Sequence, residues 1–551
     1  MASAQSRDWR NSVDDVRAAY DEAPYDPYAH PQSAPGQLAA IAWAFGLNPP
    51  EVADARVLEI GCAAAGNLIP FAATHPRART VGIVLSQAHM DLGRRRVRTL
   101  GWKTSSCCTV ISHASTSRRW ASSTSSSVTV CTAGCQTRCR RRPRCLRPIA
   151  ITTGVAYVGY NTYPGWKAKE IVRDAMLLSV GDSATIRAKV RRARGMVDFL
   201  QKVAQPGSVL GQALDDYQQM AAKTGDYYLL HEELELFNAP CYFRDFVARA
   251  RAHGLDYLSE ARPEYTFAQN YGPAVVGHLL EYVHDQVLLE QHLDFVVNRH
   301  FRQTLLVHAR CARRIDRRMD RIRSRRMNFA AQLSPVGGHT LLGDSDQQYR
   351  DPDGNMLVAR DAGQKAALEA LADRWPWTLS WQELVDAARA RLGRVGRLAT
   401  PDLEARIDVL LERLIIHGQA RYRMDPVSPE PTCAPIRLSE PAGRMAELTR
   451  EDVDAFVFNH WHELLPLAPV DRYLLPLLDG RRNSHALLEG LLNVVGQGLI
   501  RIDLDDGGVP NEEGVRDVLA QWIDALPQHL EEMKLMSVCD HTSVIDYRRR
   551  A

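Results

Sequence analysis

Between Asp91 and Glu170 the chain carries no aspartate and no glutamate, while serine, arginine and six of its eleven cysteines crowd the same stretch. Such a segment has no carboxylate of its own to set against its arginines. No apolar run reaches the ~20 residues that a membrane-spanning helix needs, and the opening MASAQSRDWRNS is polar where a secretory signal would be apolar. These absences argue against membrane insertion and for a cytoplasmic protein. The cysteines, unevenly spread and without a signal beside them, do not read as a disulfide framework. Net charge is small too, +3 over 551 residues, so no strong field for nucleic acid or lipid is implied.

What is present is a globular composition, 45% hydrophobic and 24% charged, with room for three or four domains. The organising stretch is residues 57–72, VLEIGCAAAGNLIPFA. Val57, Leu58 and Ile60 supply the apolar run of a buried parallel strand, and Gly61 and Gly66 bracket small residues, Cys62 and Ala63 among them, that let a ligand approach the backbone. Asn67 opens a helix with Leu68, Ile69 and Phe71 as its apolar positions, whose free N–H groups would face the ligand. Glu59 stands at the strand's end, placed to accept from an ammonium group or to orient the loop. The loop lacks the lysine of G-x-x-x-x-G-K-[ST] and the third glycine of a dinucleotide fingerprint, so neither of those ligands is indicated.

Three further stretches carry specific composition. Residues 20–37, YDEAPYDPYAHPQSAPGQ, are too rich in proline and tyrosine for an ordinary helix. There Ser33 is expected to cap a helix with Pro35 in its first turn and Leu38, Ile41, Ala42 and Phe45 on one apolar face, ended by Gly46. Residues 80–85, TVGIVL, read as a second strand. Residues 155–160, VAYVGY, read as a fifth strand that flows into NTYPGW at 161–166, a composition suited to a narrow pocket that desolvates an amine.

The E-x-G-C-x-x-x-G-N of residues 59–67 resembles motif I of the class I S-adenosylmethionine-dependent methyltransferases. With the 20–37 and 161–166 segments, the region 227–310 and the PLLDG of 476–480, the chain resembles the protein-lysine-methyltransferase-like group that carries a methyltransferase regulatory domain. The resemblance implies an α/β fold, a Rossmann-like sheet followed by helical and winged-helix-like domains, with S-adenosylmethionine as cofactor and no metal. It implies cofactor contacts at Glu59, Gly61, Cys62, Ala63, Gly66, Asn67 and the position of Val84, where the family has an acidic residue for the ribose hydroxyls. Losing that carboxylate costs roughly 1.5–3 kcal/mol, about a tenfold to hundredfold loss of affinity. On the acceptor side it points to Tyr20, Tyr25, Gln32, Asn161, Tyr163 and Trp166. Methyl transfer depends on in-line geometry more than on a strong base, and no single catalytic residue stands out.

Residues 103–152 depart from every pattern. Cys131, Cys135, Cys139 and Cys145 are spaced C-x₃-C-x₃-C-x₅-C, which is not a usual zinc set. A basic low-complexity insertion is a second reading. Both leave the sheet without its third and fourth strands. A slipped reading frame is the third reading: taken one base out of phase, residues 128–140 permit His-Gly-Val-Tyr-Ser-Trp-Val-Pro-Asp-Ala-Val-Gln, the family's fourth strand with its post-strand motif. TVIS at 109–112 and SVTVC at 127–131 retain β-branched residues and are expected at strand positions three and four in poor register.

From residue 166 to about 205 the pattern is helical, and 227–310 continues almost wholly so. His231, Glu232, Glu233 and Glu235 read as acids favouring a helix start rather than as metal ligands. Nine arginines fall in 310–326 against Asp316 and Asp320 alone; without interleaved aromatics they suit a solvated helix or an acidic partner better than nucleic acid. Residues 365–424 and 470–535 each suggest three helices with a short ribbon, including strands at QARYRM and LIRIDL. In the first unit Asp402, Glu404, Asp408 and Glu412 would repel phosphates, so both units read as protein-interaction modules. The expected domains are 1–200 for the cofactor, with 103–152 scrambled, 205–330 helical and regulatory, 345–430 winged-helix-like, and 440–540 winged-helix-like. The function implied is methyl transfer from S-adenosylmethionine to protein lysine amines. Its partner would be a protein substrate, and a homodimer is compatible. Val84 and the 103–152 segment favour the alternative, an impaired homologue serving as an interaction module.

Overall fold

The computed structural model describes residues 17–18, 20–22, 29–101, 108–112, 127–131, 154–181, 185–222, 229–235, 238–337, 345–428, 431–432, 435–452, 455–502 and 511–538. Its centre is a seven-stranded sheet with strand order β3-β2-β1-β4-β5-β7-β6. The strands are β1 (Arg56–Ile60), β2 (Arg79–Val84), β3 (Cys108–Ser112), β4 (Ser127–Cys131), β5 (Val155–Asn161), β6 (Leu255–Glu260) and β7 (Phe301–His308). The first five are parallel, β7 runs antiparallel to β5, and β6 antiparallel to β7.

β3 and β4 take the positions expected of them, but the poor register does not hold. β3 pairs with β2 over five unbroken positions from Cys108 opposite Thr80, and β4 with β1 over five from Ser127 opposite Arg56. The register is decided by the backbone ladder once β1 and β2 are in place. The rest of 103–152, with its cysteines and the frame-slip reading, lies outside the described residues.

The helical reading of 227–310 needs a larger correction. Two of the sheet's seven strands, β6 and β7, come from it, so the sheet that begins at Arg56 closes only at His308. β7 pairs with β5 along its whole length, Val155 opposite Val307 to Asn161 opposite Phe301. What disguised these strands is polar content that the fold satisfies internally. Arg302, 2% exposed, donates to both Asp294 oxygens at 2.9 Å, to Glu260 at 2.7 Å and to Glu290 at 3.2 Å. Tyr257 donates to Glu290 and Thr304 to Glu260, both at 2.7 Å, and Arg299 adds a second cation on Asp294.

α1 (Pro35–Ala44) and α2 (Leu68–Thr74) lie beside the β1 bend, and α3 (Gln87–Thr99) follows β2. Leu38, Ile41, Ala42 and Phe45 of the α1 segment are buried as expected. After β5 come α4 (Trp166–Val180), α5 (Ile186–Val203) and α6 (Val209–Ala221), which share a small core around Met176, Ala193 and Leu214.

Residues 362–374, 381–394 and 403–416 form the three helices of the first tail unit, and Arg421–Arg423 pairs with Asn328–Ala330 as its ribbon. Arg321 and Arg325 of the arginine run pair with Glu412 and Asp408 of its third helix, and Arg323 and Arg326 lie over Trp43. Arg326 also lies 3.7 Å from Glu51, so three of the run's arginines meet carboxylates of this chain. In the second unit the expected strand at LIRIDL is absent over 499–502 and the remainder lies outside the described residues. Gly498, at φ 72°, and Leu499 spend their amides on Val495 O and Val494 O, closing the preceding helix. The ribbon is instead Phe456–Phe458 against Leu464–Pro466.

Arg302→Leu should leave Glu260 and Glu290 buried without their cation and cost about 3–5 kcal/mol. Urea unfolding of the purified chain will read this as a lowered midpoint, partly rescued by Arg302→Lys. A midpoint unchanged in the leucine variant would mean the cluster is not what holds β6 and β7.

Candidate active site

The bend after β1 lies at the carboxyl edge of the sheet's parallel half, the usual ligand edge of an open α/β sheet. Gly61 turns at φ 83°, and Ala63 and Ala65 also sit in the left-handed region at φ 44° and 64°. Two alanines held there within three residues are strain of the kind concentrated at ligand sites. Cys62 is buried beneath the bend, against β2, where a Cβ on Gly82 would meet its sulfur at 2.4 Å.

The amides do not behave as the sequence suggested. Gly61 and Cys62 donate to Ile83 O, and Leu68 and Ile69 both donate to Ala65 O. α2 is only seven residues long, and Asn67 makes no side-chain cap to it. The expected array of free helix N–H groups is therefore not what the bend offers. The Asn67 side chain instead ties four segments together. Its Oδ1 accepts from His30 N at 2.8 Å and Ser33 Oγ at 3.2 Å, and lies 2.8 Å from His462 Nε2. Its Nδ2 donates to Glu59 Oε1 at 3.3 Å. Glu59, 1% exposed, thus orients the loop, one of the two roles considered for it. Ser33 does not cap α1, whose N-cap is Ala34; its hydroxyl goes to Asn67 and His30 O.

Val84 is 5% exposed within the main core, at the end of β2. A carboxylate does reach the loop after β2, but from the N-terminal segment: Asp21 accepts from Ser86 Oγ at 2.6 Å and from Ala88 N at 3.2 Å.

Of the residues expected on the acceptor side, Asn161, Tyr163 and Trp166 sit at the end of β5, two strand intervals from the bend, about 10 Å at the usual spacing. Regulatory-region backbone encloses them: Thr162 N donates to His300 O, Gly165 N to Arg299 O, and Thr162 Oγ1 to Cys241 O. A Cβ on Gly165 would meet Asn298 O at 2.4 Å, so only glycine allows this approach. Asn161 is buried and donates to Asn238 Oδ1 at 3.0 Å. Tyr163 donates to Glu170 at 2.7 Å; partial burial and that carboxylate push its hydroxyl up to about 12. Trp166 is 1% exposed, with the Lys169 ammonium 5.6 Å from its ring. Tyr20 donates to Glu235 at 3.4 Å, Gln32 is half-buried in the turn Pro31–Ser33, and Tyr25 lies outside the described residues.

His462 is the residue the sequence reading missed. It sits on the loop between the strands Phe456–Phe458 and Leu464–Pro466, at φ 62° and 5% exposed. Asn459 Oδ1 accepts from Trp461 N and Glu463 N, an asparagine turn that fixes the loop. Arg423 donates to His460 O and pairs with Asp425, which also pairs with His75 at 3.3 Å. The signal was NHWHE at 459–463, an asparagine-led aromatic turn between two apolar triplets.

Burial, aided by Arg423, His30 and His75, pushes His462 down to about 3, and burial lowers His30. A histidine kept neutral when docked contributes its full docking free energy above pH ~6.5. As the pH falls through that value the undocked form takes a proton that the docked form does not, so docking weakens by up to about 1.4 kcal/mol per pH unit. The thermal midpoint should therefore drop more between pH 7 and 5 in the wild type than in His462→Gln; parallel drops would remove His462 from the contact.

Two segments of the chain match known families, and the fold matches solved structures. The family described as predicted methyltransferase regulatory domain matches residues 225–308, and the family described as PKMT, C-terminal winged helix domain matches 442–535. An uncharacterised protein of Rickettsia prowazekii (strain Madrid E), RP789, is 28% identical over 514 residues, covering 91% of this chain and 90% of its own. A second from that organism, RP028, is 25% identical over 251 residues, 43% of this chain and 94% of its own. The structure of PKMT2 from Rickettsia typhi in complex with AdoHcy superposes with a TM-score of 0.78 at 21% identity, covering 93% of this chain and 99% of that one. The chain has the class I methyltransferase fold, its sheet completed by a methyltransferase regulatory domain and followed by a PKMT-type C-terminal winged helix domain.

Proposed function

We propose that this protein transfers a methyl group from S-adenosylmethionine to lysine amines of a protein substrate. The observation that carries the proposal is the strained, small-residue bend at the carboxyl edge of β1, on a fold shared over 93% of the chain with a structure holding AdoHcy. The residues there suit that ligand. Gly61, Ala63 and Gly66 leave the backbone uncovered by bulky side chains, and Glu59 and Asn67 hold the loop in shape, with Cys62 packed beneath. When bound, the cofactor supplies an electrophilic methyl on its sulfonium. The chain's own part is to orient it and to desolvate the amine beside Asn161, Tyr163 and Trp166, with Tyr20 and Gln32 on the covering segment.

Val84 is the weak point, because an apolar side chain there offers the ribose hydroxyls no acceptor. Among the described residues no helix is long and apolar enough to cross a membrane, which suits a protein acceptor met in solution.

Transfer of tritium from labelled S-adenosylmethionine to an oligolysine peptide tests the reading. Wild type should give detectable methyl-lysine, and Val84→Asp should raise kcat/KM for the cofactor roughly tenfold to hundredfold. No transfer by either protein, with no cofactor binding, would leave an interaction module in place of an enzyme.

A further inference from the structure

From Ile60 to Met90 the chain has no aspartate and no glutamate, so the β1 bend, β2 and the loop after β2 carry no acid of their own. In dinucleotide-binding sheets an aspartate or glutamate at the end of the second strand takes a ribose hydroxyl of the ligand that lies along the carboxyl edge. Val84 holds that place here and is packed into the core. The bend and the end of β2 are neighbours: β1 and β2 pair directly, and Gly61 N and Cys62 N donate to Ile83 O at 2.8 and 3.2 Å.

Asp21 brings a carboxylate to this place from the N-terminal segment. Its Oδ1 accepts from Ser86 Oγ at 2.6 Å and from Ala88 N at 3.2 Å, just past Val84. The N-cap of α3 is already Ser86, whose hydroxyl accepts from His89 N, so a carboxylate carried in from 65 residues away is more than that helix end requires. The segment is tied down on two sides. The Tyr20 ring lies 6.2 Å from that of His89 in α3, while His30 N and Ser33 Oγ donate to Asn67 at the bend. A ligand lying between the bend and the end of β2 therefore lies between these two attachments, and Asp21 is exposed to meet it.

We propose that Asp21 is the ribose-binding acid of this chain, its Oδ2 accepting from a ribose hydroxyl of the S-adenosyl ligand. The inference rests on the methyl-transfer reading above and names a cofactor contact within it. Because Oδ1 is engaged by Ser86 and Ala88, Oδ2 serves one of the two ribose hydroxyls, and the other is left for the carboxylate that Val84→Asp adds. Asp21→Asn separates the two oxygens: the amide oxygen can keep Ser86 and Ala88, while an NH₂ group replaces the second acceptor.

Calorimetry of the full-length protein with S-adenosylhomocysteine, and with its analogue lacking both ribose hydroxyls, tests the assignment. Asp21→Asn should weaken S-adenosylhomocysteine at least tenfold and leave affinity for the analogue as in wild type, because only the hydroxyl contact is lost. Equal binding of S-adenosylhomocysteine by variant and wild type overturns the assignment. So does an equal loss on both ligands, which a merely structural role for Asp21 would give. Should the asparagine variant not fold, Asp21→Ala decides by the same two comparisons. Wild type that binds neither ligand strikes the methyl-transfer reading and this assignment with it, whereas binding by wild type with an unaffected variant strikes the assignment alone.

Discussion

A primary amide cannot be buried without its partners, and the amide of Asn67 finds them in segments hundreds of residues apart. Left unsatisfied, such a group costs about 1–3 kcal/mol; here its oxygen is shared by His30, Ser33 and His462 while its nitrogen reaches Glu59. The N-terminal segment and the C-terminal domain are therefore not appendages to the sheet. Both close onto the bend that follows β1, and the loop that carries His462 is stiffened by Asn459 and anchored by Arg423 so that it can do so.

A second constraint works from the far edge of the sheet. β5 would end exposed on one side without β7, and β7 carries Arg302, which can be buried only because Glu260, Glu290 and Asp294 converge on it. The same region lays the backbone of Cys241, Arg299 and His300 against the turn 161–166. The segment that closes the sheet with β6 and β7 is therefore also the one that packs against the turn 161–166.

Much of this could be read from the residues. The bend at 61–67, β1, β2 and β5, the helices of the first tail unit and the buried face of α1 follow from apolar period and glycine placement. β6 and β7 did not, since LDYLSE and FRQTLLVH mix charges into strands whose carboxylates and guanidinium meet only after folding. Ser33 looked like a helix cap because its sequence neighbourhood cannot show Asn67 beside it. The arginine run was assigned to a solvated face or an acidic partner; Arg321 and Arg325 of it meet Glu412 and Asp408 of the same chain, which lie 91 and 83 positions on and could not be matched to them in sequence. The NHWHE turn is visible in the sequence, but the role of His462 in it is not, because its partner lies 395 positions away.

S-adenosylmethionine, or its demethylated product, lying at the β1 bend must be felt through Asn67 at both ends of the chain. Hydrogen exchange with and without S-adenosylhomocysteine tests that most directly. The ligand should slow exchange in residues 59–67 and, through the shared amide, in 29–33 and 459–463. Unchanged exchange in 59–67 at saturating ligand would contradict it.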